Sequence, residues 1–295
     1  MSYQEKQIAA LKTVKRVALV GLGANLALTA LKLVFGFIFL NMAILSDAAH
    51  SGMDSIVTLL VLVSAFFSSP KRDREHNYGH EKREAVFVLL VSLFMFGMAI
   101  LLIVQGIRGI TNIQQAEWNL LLIIVAAISI LVKEALFQFT NYFAKRTHSA
   151  ALRADAWGHR VDCITSFAVL VGLVCTIWLR SDLAESIAVL VVSLFILRIA
   201  YKVFRGAYFQ LTDRAADART HAKIAQLAKD TEGVLGVDKL HTRLFGSGIL
   251  VDMEIKVDGH LSVAQGHEIA HTVHDLLEAD PDLRIKHCNI HVNPN

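Results

Sequence analysis

Long apolar stretches separated by short polar segments fill the first two thirds of the chain. They run over Val17–Leu40, Met42–Phe67, Ala85–Ile107, Trp118–Phe143, Cys163–Leu179, and Ile187–Leu197 with its flanks. Most of them are close to the roughly 20 residues that an α-helix needs to cross a bilayer. The pattern therefore predicts a membrane α-helical domain of six transmembrane helices over residues 1–209.

After Phe209 the pattern changes to that of a soluble domain, residues 210–295. The segment Ala218–Asp230 carries apolar residues at helical spacing, which predicts a helix. The stretch "ILVDMEIKV" alternates apolar with charged residues, as a half-buried strand does. Before it, "VDKLHTRLF" and a Gly-Ser-Gly turn supply a hairpin partner.

A second helix and a last strand follow in the same domain. Ser262 and Gln265 form a capping box ahead of "VAQGHEIAHTVHDLLEA", and "RIKHCNIHV" after Pro281 predicts a strand. The element order αββαβ predicts a ferredoxin-like α+β domain in which two helices cover one sheet.

Composition and charge support the membrane assignment and give it an orientation. Hydrophobic residues make up 54% of the chain and the mean hydropathy is +0.49, which is high for a soluble domain. Lys and Arg are concentrated in the N-terminal segment, Lys71–Glu84 and Lys145–Arg153, whereas the alternate connections hold a single Arg180. We therefore expect a multi-pass inner-membrane protein in a lipid bilayer with both termini in the cytoplasm. The small net charge of +3 follows from these loops and requires no nucleic-acid partner.

Aspartates near two of the apolar runs are the candidate functional residues. A charged side chain at the bilayer centre costs about 2.5–3.5 kcal/mol, so acidic residues in spans usually face a partner, an ion or water. The stretch "DAAHSGMD" extends from Asp47 to Asp54, and "DAWGHRVD", at the mouth of the fifth apolar run, extends from Asp155 to Asp162. Residues seven apart differ by about 20° around a helix, so each stretch places its two aspartates on one face.

Histidines accompany both pairs of aspartates. His50 lies one turn before Asp54, and His159 lies close to Asp162. Carboxylates from two helices together with an imidazole suit a divalent first-row metal ion. The alternative is that the aspartates are solvated at helix ends or paired with Arg153 and Arg160.

Several stretches together resemble one transporter family over nearly the whole chain. "AILSDAAHSGMDS", "DREHNYGHEKRE", "RADAWGHRVDCITSFAVLVG" and a final "NIHVNP" are similar to segments of the cation diffusion facilitators. The resemblance implies a homodimer that moves divalent transition metals out of the cytoplasm in exchange for protons. It also implies a transport site with a His/Asp-x-x-x-Asp motif on the second helix and another on the fifth.

Carried over by position, the resemblance implies that His50, Asp54 and Asp162 are ligands of the transported metal. The fourth expected ligand falls on Gly158, which has no side chain. Asp155, about 20° from Asp162 around the helix, and His159, about 60° away, are the candidates to replace it, as is water. Zn²⁺ or Fe²⁺ is the leading expectation, with Mn²⁺, Co²⁺ and Ni²⁺ open. The metal is a substrate, and no cofactor is expected beyond Zn²⁺ as a candidate in the cytoplasmic domain.

The resemblance implies further sites outside the membrane. In the loop after the second helix, a possible metal group consists of Asp73, His76 and His80. In the cytoplasmic domain, the matching metal positions are Asp238, Glu254, His267 and His291. Lys82 and Asp213 match a pair that we expect to form a salt bridge in the hinge region of the dimer.

Two other functions compete with transport. The stretch "HEIAH", from His267 to His271, matches the H-E-x-x-H signature of zinc peptidases. Its histidines belong to the polar stripe of an amphipathic helix, however, and a solvated helix face explains the motif. A membrane-anchored metal sensor that does not transport is the second alternative, and it leaves the paired aspartates in the membrane unexplained. We therefore expect a transporter and not an enzyme.

Overall fold

The computed structural model describes residues 3–38, 42–69, 71–111, 120–179 and 183–295. Its first part consists of six long helices: α1 (Tyr3–Ile38), α2 (Met42–Phe67), α3 (Lys82–Thr111), α4 (Leu120–Thr147), α5 (Ala150–Leu179) and α6 (Leu183–Leu211). Among the described residues, α1, α3, α4 and α6 each contain a segment long and apolar enough to cross a membrane, and α2 contains the shorter apolar segment Ser51–Phe67. The prediction of a helical membrane fold is confirmed.

α1 begins earlier than the apolar run predicted. The helix starts at Tyr3, well before Val17, and part of the segment before Val17 packs on the helical core. Val14 in this part is buried in that core, and Leu11 packs against it. The basic residues of the segment therefore lie on a helix that continues into the first span.

α5 also begins before its apolar run, and this places the aspartates inside the helix instead of at its mouth. The helix starts at Ala150, where the Ser149 hydroxyl accepts a hydrogen bond from the Leu152 amide at 3.2 Å, as an N-cap does. The Glu84 carboxylate of α3 accepts hydrogen bonds from the Ser149 hydroxyl at 2.5 Å and from the Ala151 amide at 2.9 Å. The neighbouring helix α3 thus accepts hydrogen bonds from two donors at the N-terminus of α5. The sequence pattern does not reveal this contact.

Two helix pairs organise the membrane part. α1 packs along α2, and α4 packs along α5, while α2 and α3 also contact α5. Small and branched side chains fill the space between them, including Ala18, Val61, Val91, Leu152 and Ile196. Many large apolar side chains point outward instead, as expected for surfaces that meet lipid chains.

The second compact unit comprises Tyr208–Asn295, whereas the first is Met1–Ala207. Its elements after α6 are α7 (Ala218–Lys229), β1 (Gly236–Phe245), β2 (Gly248–Val257), α8 (Val263–Ala279) and β3 (Ile285–Pro294). The sheet order is β1-β2-β3, with β1 and β2 antiparallel and β2 and β3 parallel. The order of the elements along the chain, α7-β1-β2-α8-β3, is the predicted αββαβ order.

Local signals account for the ends of these elements. The Asp217 side chain caps α7 by accepting from two backbone amides, and Ser262 and Gln265 form the predicted capping box of α8. Gly246 has a φ of 59°, which the first position of a tight two-residue hairpin turn requires. The core between helices and sheet contains Ile224, Ile255 and other apolar side chains.

Candidate functional site

Asp54 of α2 and Asp162 of α5 meet at a lysine from a third helix. The Lys133 ammonium of α4 donates hydrogen bonds to Asp54 Oδ2 at 2.6 Å and to Asp162 Oδ2 at 2.8 Å. The three side chains are 4%, 16% and 12% exposed, respectively. Two carboxylates from different helices therefore hold one cationic group in a largely buried place.

The residues next to this group form a second ion pair between the same helices. Glu134 follows Lys133 on α4 and forms a salt bridge with Arg160 of α5, which also stacks over the Phe137 ring at 4.7 Å. Arg160 therefore pairs with Glu134, in contrast to the alternative in which it neutralises one of the helix aspartates.

Asp155 and His159 lie deeper and belong to a separate polar network. Asn25 of α1 donates to the Thr58 hydroxyl at 3.0 Å, and that hydroxyl donates to Asp155 Oδ1 at 2.8 Å. His159 Nε2 lies 3.6 Å from Asp155 Oδ2, and each residue is 2% exposed. In the described part of the chain neither of these two atoms has a hydrogen-bond partner.

One cavity joins the two networks. Asp54, Asp155, His159 and Asp162 all line it, together with Gly158. A Cβ atom added at Gly158 would meet nothing within 4 Å, so the position of the missing ligand is open space. Apolar side chains complete the wall, and three of them are the thioethers of Met53, Met95 and Met98.

The remaining residues of the predicted transport site are described only by their backbone. His50 and Asp47 both lie within α2, one and two turns before Asp54, and their side chains are outside the described part of the structure. Their contribution to the site stays a prediction. The structure brings Asp54, Asp162, Asp155 and His159 to one cavity.

The loop group Asp73, His76 and His80 is brought together as its spacing suggested. Asp73 Oδ1 lies 3.2 Å from His76 Nδ1, and Asp73 Oδ2 lies 3.0 Å from His80 Nε2. The His76 backbone amide donates to the Asp73 carboxylate, and this bond, with the neighbouring imidazoles, lowers the pKa of Asp73. One ligand atom from each residue lies within 4.8 Å of the others, so a single ion could contact all three.

The predicted cytoplasmic set has a different arrangement. Asp238 pairs with Lys256 at 2.9 Å, and Glu254 pairs with Lys239 at 3.0 Å. These hydrogen bonds lower the pKa of both carboxyl groups. Asn293 donates to both carboxylates, at 3.3 and 3.2 Å, so the set is held together by an amide and two lysines.

The two histidines of that set occupy different elements. His291 is the register partner of Glu254 in the sheet, whereas His267 lies on α8. Metal binding by Asp238, Glu254, His267 and His291 stays a prediction. The same is true of the ion pair of Lys82 with Asp213, because the two residues belong to different compact units.

Sequence reasoning missed two groups. Lys133 lies within the fourth apolar run, and the rule that singled out the aspartates applies equally to a lysine in a span. The other group is His274, Glu278 and His287, whose ligand atoms also lie within 4.8 Å of one another. Its helical half has i,i+4 spacing, but only the fold brings the strand residue to it.

Comparison with known proteins gives matches over both units. The family model of the cation efflux transmembrane domain matches residues 18–212, and that of the cation efflux protein cytoplasmic domain matches residues 216–295. The manganese efflux system protein MneP of Bacillus subtilis is 26% identical, with 100% of this chain and 99% of that protein covered. The magnetosome protein MamM of Paramagnetospirillum magneticum is 30% identical, with 88% and 82% covered.

A plant relative and a solved structure extend these matches. Metal tolerance protein 2 of Oryza sativa subsp. japonica is 31% identical, with 88% of this chain and 73% of that protein covered. The cadmium form of a variant MamM C-terminal domain is 30% identical over 26% of this chain and 94% of that chain, with a TM-score of 0.25.

Proposed function

Because the chain belongs to the cation efflux family, the cation diffusion facilitators, we propose that it exports a divalent first-row transition metal from the cytoplasm in exchange for protons. Divalent metal transport is the activity of the family's named members, such as the manganese efflux system protein MneP. The direction of transport, the coupled ion and the identity of the metal are what we propose. We place its transport site at Asp54 and Asp162, with His50 as the third ligand.

The observation that carries this proposal is the position of Lys133. Its ammonium occupies the point where the two carboxylates converge, at 2.6 and 2.8 Å. A pair of carboxylates held this close in an apolar helix bundle needs a cation between them, because unpaired charges there cost several kcal/mol. The place is therefore built for a cation, and Lys133 supplies one.

A divalent ion competes with Lys133 for the same oxygens. An ammonium group and a dication repel each other and cannot share the two carboxylates at bonding distance. We propose that metal entry displaces the lysine ammonium into the adjoining cavity and that the ammonium returns when the metal leaves. The returning ammonium balances the charge of the two carboxylates after the metal has left, so neither carboxylate is then unpaired.

Proton exchange follows from the same ligands. Carboxylate and imidazole groups bind metals only when deprotonated, so metal and protons exclude each other at the site. If the site opens alternately to the two sides of the membrane, protons arriving from outside release the metal there. Deprotonation on the cytoplasmic side then prepares the ligands for the next ion.

The ligand set favours Mn²⁺ and Fe²⁺ within the expected group of metals. Carboxylate oxygens suit Mn²⁺, and mixed oxygen and nitrogen sets suit Fe²⁺, whereas each added imidazole improves the site for Zn²⁺. Gly158 removes one such ligand position. The relative MneP is named for manganese efflux, which agrees with this choice.

The remaining assignments are part of the same proposal. We place the protein in the inner membrane as a homodimer, with both termini in the cytoplasm and the second unit on that side. Lys82 and Asp213 would form the salt bridge that we expect in the hinge region of the dimer. The loop group of Asp73, His76 and His80 would hold a second metal ion at the membrane surface.

Metal flux into proteoliposomes tests the proposal. Purified protein is reconstituted, a pH gradient is imposed, and uptake of Mn²⁺, Fe²⁺, Zn²⁺, Co²⁺ and Ni²⁺ is followed together with the internal pH. We expect uptake coupled to proton movement for one or two of these metals, and its loss in Asp54→Asn and Asp162→Asn. Asp282→Asn is the matched control, because Asp282 is 88% exposed in the second unit.

Three outcomes would contradict the proposal. If no metal moves through the correctly folded wild-type protein, although metal still binds, the chain is a membrane-anchored sensor. If Asp162→Asn transports at the wild-type rate, the site lies elsewhere. Hydrolysis of peptides by the purified protein, lost in His267→Ala, would revive the peptidase alternative.

A further inference from the structure

A group of metal-ligand side chains lies between α8 and β3, apart from every site described above. His274 and Glu278 are one turn apart on α8, and His287 is on the neighbouring strand. His274 Nε2 is 3.1 Å from Glu278 Oε1, and His287 Nδ1 is 3.7 Å from the same oxygen. Three potential ligand atoms thus converge at the surface of the second unit.

Their spacing fits a first-row metal ion. Bonds of about 2.0–2.1 Å in a tetrahedral shell place neighbouring ligand atoms roughly 3.3 Å apart. The separations of the two histidine nitrogens from Glu278 Oε1, 3.1 and 3.7 Å, lie on either side of that value, and the ligand atoms of all three residues lie within 4.8 Å of one another. A small rotation of the imidazoles would complete three sides of a tetrahedron and leave the fourth side open to water.

The surrounding contacts hold two of the three ligands in place. The Cys288 backbone amide donates to Glu278 Oε1 at 3.2 Å, which ties the helix carboxylate to the strand. His274 Nδ1 lies 3.2 Å from Asp275 Oδ1. A proton on Nδ1 donated to this carboxylate leaves the Nε2 lone pair directed at the metal position, the arrangement in which outer carboxylates orient ligating histidines.

The same contacts separate this group from the peptidase-like motif. His271 pairs with Asp275 at 3.0 Å, so the second histidine of "HEIAH" supports the outer carboxylate. His271 belongs to neither group that the structure brings within reach of one ion among the described residues, and the same is true of His267. The group of potential metal ligands on α8 therefore lies about one turn C-terminal to the peptidase-like motif.

We propose that His274, Glu278 and His287 form a Zn²⁺-class metal site of the second unit, with Asp275 as the residue that orients His274. Two nitrogens and one oxygen favour a borderline metal such as Zn²⁺ or Co²⁺ over Mg²⁺ or Ca²⁺. The bound ion links α8 to β3. It is independent of the transport site, and its residues differ from the predicted set of Asp238, Glu254, His267 and His291.

Co²⁺ absorption of the full-length protein in nanodiscs tests this site, because tetrahedral Co²⁺ absorbs visible light more strongly than octahedral Co²⁺. All variants are made in an Asp162→Asn background. Subtracting the spectrum of one variant from that of another removes the Co²⁺ absorption of the sites that both retain. We expect His274→Ala and His287→Ala each to lose one tetrahedral Co²⁺, or to weaken its binding by tenfold or more. The matched control is His267→Ala on the same helix.

A second variant separates metal binding from folding. Glu278→Gln keeps the shape of the side chain and an oxygen acceptor for the Cys288 amide, and it removes the charge. We expect Zn²⁺ to raise the unfolding temperature of the background protein and to do so less in Glu278→Gln. Retention of the Co²⁺ signal in both histidine variants would overturn the site. Its loss in His267→Ala or His291→Ala instead would assign the ion to the predicted set.

Discussion

The Lys133 ammonium of α4 lies 2.6 Å from the Asp54 carboxylate of α2, in the same buried place where α5 contributes Asp162. Helices α2, α4 and α5 are therefore joined by one cation held between two anions. We propose that the transported metal binds at the same place, so the ammonium and the metal ion are alternative partners of the two carboxylates. Either the tethered ammonium of Lys133 or a free metal ion is bound to the two carboxylates, and mutation of Lys133 changes the balance between them.

Replacing Lys133 tests whether its ammonium competes with the metal ion for the two carboxylates. Lys133→Met leaves Asp54 and Asp162 without the ammonium, and removing one partner of a buried ion pair costs about 3–5 kcal/mol of unfolding free energy. We expect this loss in metal-free protein and its recovery when Mn²⁺ is added. We also expect Mn²⁺ to bind about tenfold more tightly and to be released more slowly, because its competitor is gone.

Unfolding in mixed micelles with and without Mn²⁺ measures both effects. Lys202→Met, at an exposed position of α6, is the control for the loss of a lysine charge. Weaker metal binding by Lys133→Met than by the wild type would count against displacement of the ammonium and would make Lys133 part of the metal's own environment.

Gly158 offers a test of metal selectivity. A side chain there would enter the open cavity beside Asp54 and Asp162, so we expect Gly158→His to fold and to shift transport towards Zn²⁺. Gly158→Ala, which adds no ligand, should keep the wild-type selectivity and raise stability by about 0.5–1 kcal/mol, the usual gain for Ala over Gly in a helix. Competition between Zn²⁺ and Mn²⁺ in the flux assay gives the readout.

A second glycine provides the contrast for this experiment. At Gly106 an added Cβ would lie 2.7 Å from Leu190 Cγ, so Gly106→Ala should destabilise the protein.

Unchanged Zn²⁺ to Mn²⁺ preference in a well-folded Gly158→His protein would mean that this face of α5 does not reach the transported ion.

The Asn25–Thr58–Asp155 network predicts a stability effect without a large change in metal affinity. Thr58→Val keeps the side-chain shape but leaves Asp155 Oδ1 and the Asn25 amide without their shared partner. An unsatisfied buried polar group costs about 1–3 kcal/mol, which we expect as the loss of unfolding free energy. Thr111→Val is the control, because the exposed Thr111 hydroxyl donates to the carbonyls of Ile107 and Arg108 in its own helix. A loss no larger than in the control would show that the network carries no net stabilisation.

Acid should loosen α7 in the second unit. Hydrogen bonds from Thr220, first its backbone amide and then its hydroxyl, lower the pKa of the capping Asp217 carboxyl. A group with a depressed folded pKa stabilises the fold above its unfolded pKa near 3.9, and this contribution is lost as the pH falls through the folded value. We therefore expect α7 to become more open to proteolysis as the pH falls below about 4.

Pepsin digestion of the full-length protein, normalised to an unfolded substrate, measures this opening. Asp217→Asn retains a capping side chain that does not titrate, so its cleavage in α7 should depend less on pH than that of the wild type. The same pH dependence in both proteins would show that other carboxylates govern the acid response.

Particular residues show how far the sequence leads. The length of the apolar runs predicted the six helices and periodicity predicted the αββαβ order, because burial of a whole span or of one face depends on local composition. The rule for charges in spans identified Asp54 and Asp162, and the same rule would have identified Lys133. The earlier start of α5 depends on Glu84 of α3, and the ligand group on α8 depends on His287 of β3. Contacts between distant segments of this kind leave no periodic signal.

The most direct test of the central claim is an anomalous X-ray difference map of the protein crystallised with Mn²⁺. We expect a peak within bonding distance of Asp54 and Asp162, with Lys133 Nζ displaced from its position between them. A peak confined to other sites, with Lys133 still bound to both carboxylates at saturating Mn²⁺, would contradict it.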